Sequence, residues 1–105
     1  MYSYILLPNA YAELINSWEW YEKKQIGLGD RFREEVGHTI QYILDHPYYF
    51  QLKHKNYREA TTRIFPFLLV YVINEDKNLV LITAIFIVAE THYKKGKRHF
   101  PFIYH

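Results

Sequence analysis

Tyr57-Arg58-Glu59-Ala60-Thr61-Thr62-Arg63-Ile64-Phe65-Pro66-Phe67-Leu68-Leu69-Val70-Tyr71 is the stretch that decides the architecture. Tyr57 to Phe65 alternates, with Arg58, Ala60, Thr62 and Ile64 on one side, as a half-buried strand does. Pro66 interrupts it, since proline cannot donate to a ladder. Phe67 to Ile73 then reads as an apolar strand. The polar run Asn74-Glu75-Asp76-Lys77-Asn78 is a hairpin loop. Leu79 to Val88 follows as the most buried strand, apolar on both faces.

Upstream the period changes from two to 3.6. Tyr2 to Leu7 is apolar and stops at Pro8, so it predicts a first strand. Asn9 is a candidate helix cap, with Glu13 near the positive end. Tyr11, Leu14, Ile15, Trp18 and Tyr21 follow helical spacing, and Gly27 and Gly29 end that helix. Asp30 is a candidate cap for a second helix with the stripe Phe32, Val36, Ile40, Ile43, Leu44. Asp45-His46-Pro47 stops it, because the residue before proline avoids the α region. The order β, α, α, β, β, β predicts an α+β fold. A helical hairpin packs on one face of a small, mostly antiparallel sheet, and the opposite face is left as a groove.

Composition narrows the class. With 105 residues the chain is one domain, 1–105, whose last ten residues form a basic and aromatic tail. Half the residues are hydrophobic and 19% aromatic, which excludes a disordered chain and leaves aromatics for interfaces. The absence of cysteine excludes disulfides, thiolate zinc sites and cysteine nucleophiles, and it fits a cytoplasmic protein. The N-terminus lacks the basic region of a signal peptide. The longest apolar run, Leu79 to Ala89, is eleven residues and too short to span a bilayer. Residues 1–50 carry net charge −3 and residues 51–105 carry +5, so the second half suits an anionic partner or is simply a solvated basic surface.

The pattern as a whole resembles the RelE/ParE superfamily of toxins of type II toxin–antitoxin systems, over roughly residues 2–95. The resemblance is carried by the arginine-bearing strand from Tyr57, the Phe-Pro-Phe turn at 65–67 and the apolar strand ending in Tyr71. Gly27-Leu28-Gly29-Asp30-Arg31-Phe32 and Asp45-His46-Pro47 add to it. It implies a growth-inhibiting protein neutralised by a cognate antitoxin. A ParE-like member binds DNA gyrase; a RelE-like member cuts mRNA on the ribosome; an inert relative only binds protein. DNA would be met only indirectly, through the antitoxin complex. Many ParE-like toxins end the last strand with a His and, three positions on, an Arg. Here Ile87 and Glu90 stand at those positions, and His92 is a histidine that a local shift would bring there.

Metal-free RNA cleavage needs a base for the 2′-OH, cations for the phosphorane and an acid for the leaving oxygen. Lys53, Lys55 and Arg58 are the candidate cations, with Arg63 a further one, and His92, Tyr93 and His54 the candidate proton carriers; no acid/base pair is fixed by spacing. For target or antitoxin binding the candidates are Arg58, Arg63, Trp20, Lys94 and Lys95. Arg58 and Arg63, five apart on a regular strand, point to opposite faces. Arg58 is taken as the groove residue; its alternative role is an ion pair with Glu59 or a helix acid. Trp18 and Tyr21 belong to the core stripe, while Trp20 falls off it. None of the six histidines makes a zinc motif, and no metal or cofactor is expected. Phe100 to Tyr104 is too apolar for a free tail.

Overall fold

The computed structural model describes residues 1–88. Strand β1 (Ser3–Leu6) leads into α1 (Pro8–Lys24) and α2 (Leu28–Asp45), and four strands follow: β2 (Leu52–His54), β3 (Tyr57–Thr61), β4 (Phe67–Asn74) and β5 (Leu79–Ile87). The sheet order is β1-β5-β4-β3-β2, with β1 parallel to β5 and every other pair antiparallel. The α+β expectation holds. The sequence reading missed β2, whose three residues are all exposed and which exists only by pairing with β3. β3 is also shorter than predicted, and Arg63 lies in the turn that follows it.

Both helices cover one face of the sheet. Phe32, Val36, Ile40 and Ile43 of α2 are buried against Ala60, Leu69, Tyr71, Ile82 and Ile85. The stripe of α1 is rotated from its expected position. Ala10 and Ser17 are buried with Leu14, Trp18 and Tyr21 beside them, while Tyr11 and Ile15 face outward. The set 10, 14, 17, 21 keeps helical spacing, but its small members carry little hydrophobic signal. An aromatic cluster joins the layers: Tyr21 meets Phe65 at 4.9 Å between centroids, and Phe32 meets Phe67 at 4.7 Å.

The helix ends also differ from expectation. Pro8 occupies the first turn of α1, where its missing N–H costs nothing, and Leu7 stands at the cap position without a side-chain bond. Asn9 is therefore inside the helix. Gly27, at φ 90, is the N-cap of α2, and Asp30 lies in its first turn. There Asp30 accepts from Trp18 Nε1 at 2.9 Å and from Arg33 at 3.2 Å, which holds its carboxyl below the usual range. The orphan N–H groups of Gly27 and Gly29 donate to the Glu22 carboxylate at 2.8 and 2.9 Å, so α1 caps α2. Among the described residues no helix is long and apolar enough to cross a membrane.

Candidate functional site

Strand parity defines the face away from the helices. Ala60 pairs with Leu69 and both are buried, so Arg58 and Ala60 of β3 point to the helix side. Tyr57, Glu59 and Thr61 therefore point to the opposite face, with Leu68, Val70 and Val72 of β4. A bulge changes the register of β5 there: Tyr71 pairs with Ile82 and Val70 with Ala84, so Thr83 is the extra residue. Its hydroxyl donates to Val70 O at 3.2 Å. The bulge opens a shallow cleft of about 270 Å³ lined by Lys53, His54, Tyr57, Glu59, Val70, Thr83 and Ala84.

Arg58 is placed differently from the expectation that it lines this groove. Its guanidinium donates to Phe50 O at 2.8 Å and to Tyr48 O at 3.5 Å, and it lies over the Tyr48 ring at 5.1 Å. No ion pair joins it to a described carboxylate. These bonds fasten the 46–50 turn, as does Tyr71, whose hydroxyl donates to Pro47 O at 2.7 Å. Burial pushes the Tyr71 hydroxyl up to about 12, although the nearby Arg58 charge pulls the other way. Tyr48 in turn donates to Glu75, and that bond raises its own titration well above the phenol range.

The basic residues predicted as one set are thus divided. Lys53 and His54 line the cleft on the free face. Lys55, at φ 52 in the β2–β3 turn, shares a second cleft of about 630 Å³ with Arg58, Tyr48, Glu75 and Asp76. Arg63 lines a third, beside α2. Trp20 is half exposed on the outer side of α1, with Lys24 Nζ 4.4 Å over its ring, in the helical layer and away from the groove. His92, Tyr93, Lys94, Lys95 and Glu90 lie outside the described residues, as does the tail. Tyr57 and Glu59 are groove residues the sequence reading passed over. Their signal was present, since the parity that sends Ala60 inward sends them outward.

Glu13 has an unforeseen place. Strand β1 ends at Leu6, and Leu7 N–H donates to Ile82 O at 2.9 Å. Beyond that point β5 continues without β1 beside it, and Ile85 N–H donates to the Glu13 carboxylate at 2.6 Å. Burial raises the Glu13 carboxyl to about 7, against the lowering effect of that bond. The residue serves the sheet edge, not the helix dipole.

Among the described residues no group of His, Asp and Glu is arranged to hold a metal ion. No family model matches the sequence, and no curated protein does. Solved structures do match. The chromosomal ParDE TA system of P. aeruginosa superposes with a TM-score of 0.72 at 14% identity, over 85% of this chain and 98% of that one. The fold is that of the RelE and ParE toxins. The isolated E. coli RelE toxin matches with a TM-score of 0.64 at 17% identity, over 90% of this chain and 95% of its own. The intact E. coli RelBE toxin–antitoxin complex gives 0.63 at 17% identity. With this RelE/ParE fold, the groove on the free face lies on β3, β4 and β5, bordered by β2.

Proposed function

We propose that the protein is the toxin of a type II toxin–antitoxin module, ParE-like, which stops growth by binding a target such as DNA gyrase and is neutralised by a cognate antitoxin. The likeness to both the ParDE and the RelBE structures supports the toxin reading in general, and the observation that carries the choice of a binding toxin is the composition of the groove. A binding toxin needs only a complementary surface. A nuclease also needs an electropositive floor for the phosphate, and here Glu59 places a carboxylate beside Lys53 and His54.

One observation favours a second reading, a RelE-like, metal-independent mRNA endonuclease. Lys53, His54 and Tyr57 line one cleft, which gathers a cation and two proton carriers. Supercoiling by purified gyrase in the presence of the protein separates the two, alongside mapping of mRNA 5′ ends after induction. Loss of supercoiling with intact messages is expected. Codon-linked cuts with normal supercoiling would overturn the preference and turn attention to Lys53, His54 and Tyr57.

A further inference from the structure

The third cleft, about 690 Å³, is separate from the groove. Its long wall is a helical stripe of α2: Glu35, His38, Thr39 and Tyr42. Tyr49 and Phe50 close one end, with Tyr42 edge-on to both at 5.3 and 5.7 Å between centroids. The opposite wall is Thr61 at the end of β3 and the turn carrying Arg63 and Ile64. That turn is pinned. Thr62 N–H donates to Phe67 O at 3.0 Å, Phe67 N–H donates to the Thr62 hydroxyl at 3.1 Å, and that hydroxyl donates to Phe65 O. Ile64 N–H donates to the Glu35 carboxylate and ties the turn to α2. The cleft is therefore held open by the fold.

Two features say what it takes. The first is a strand edge. Thr62 N–H faces β4 and Glu59 N–H faces outward, to Gln51 O at 3.3 Å, so by alternation Thr61 N–H also faces outward. Strand β2 pairs only with Tyr57 and Arg58, and no described group accepts from Thr61 N–H. The second is charge. The Glu35 carboxylate is engaged by a backbone N–H, whereas the exposed Arg63 guanidinium has no hydrogen bond or ion pair to a described residue. A free edge selects an extended peptide, five planar donors select a carboxylate, and aromatic rings select an apolar neighbour.

We propose that this cleft docks an extended acidic segment of a protein partner, which pairs with β3 at Thr61 and sets an aspartate or glutamate on Arg63 with an apolar side chain against Tyr42 and Tyr49. The proposal rests on the partner-binding reading above and adds its location and chemistry. Panning a phage-displayed random heptapeptide library on the folded protein tests it. Enriched peptides should join an acidic residue to an aromatic or branched one. Their Kd should rise at least tenfold against Arg63→Glu, less against Arg63→Gln, and stay unchanged against Lys53→Glu. The Thr61 amide should exchange more slowly with peptide bound. Basic consensus peptides, equal binding to Arg63→Glu, an unprotected Thr61 amide, or no enrichment would each overturn it. Growth arrest and its relief by an antitoxin are measured separately, so failure here leaves the toxin reading standing or falling on its own.

Discussion

Gly29→Ala should lower stability by about 2 kcal/mol and Tm by about 10 °C, read from thermal melts by circular dichroism. A Cβ at position 29 would stand 2.6 Å from Trp18 O and 2.8 Å from Glu22 Oε1. The first of these atoms is backbone, so α1 and α2 must part. The second is the carboxylate that caps Gly27 and Gly29, and its displacement uncovers two N–H groups. Helix propensity alone predicts the opposite sign, since alanine is favoured over glycine by about 1 kcal/mol. Gly37, exposed on the same helix with nothing within 4 Å of its Cβ position, supplies the control. Gly37→Ala should stabilise by roughly 0.5–1 kcal/mol. A stabilising Gly29→Ala would show that the hairpin is not closely packed there.

The second large effect depends on pH. The Glu13 carboxyl titrates at about 7 in the folded protein, above its ordinary value of 4.5. The folded state thus holds this proton more tightly than the unfolded chain does. Its contribution to stability is complete below about pH 4.5 and is lost as pH rises through 7. At pH 8 the charged carboxylate is half-buried at the sheet edge. Glu13→Gln removes that charge and keeps an oxygen to accept from Ile85 N–H. The variant should be more stable than the parent by about 1–2 kcal/mol at pH 8, with the difference closing towards pH 5. Other groups titrate alike in both proteins and cancel from the difference. Denaturant midpoints across that range measure it, and a constant difference would remove Glu13 as the cause.

Much of the fold was readable because burial repeats at the period of each element. Phe32, Val36, Ile40 and Ile43 mark α2 unambiguously, and the two-sided apolar character of β5 marks a buried strand, which lies between β1 and β4. What was not readable depended on partners distant in sequence. Leu52–His54 has no strand signal of its own and is a strand only because β3 lies beside it. Gly27 caps α2 because Glu22 reaches back from α1, which no local pattern encodes. The candidate site was half readable. Lys53 and Lys55 were found by charge, yet a turn at positive φ sends them to different clefts. Arg58 was assigned to the groove by resemblance, although its parity with Ala60 argued for the helix side. There it holds carbonyls of the 46–50 turn.

A toxin held in check by a protein partner, as proposed above, must stop growth alone and be silent beside that partner. Viable counts after induction of this gene alone, and together with the adjacent reading frame, test this most directly. The expected result is growth arrest on induction alone, relieved when the neighbour is co-expressed, with the two products purifying as one complex. Unimpaired growth while the folded protein accumulates as a lone monomer would contradict it.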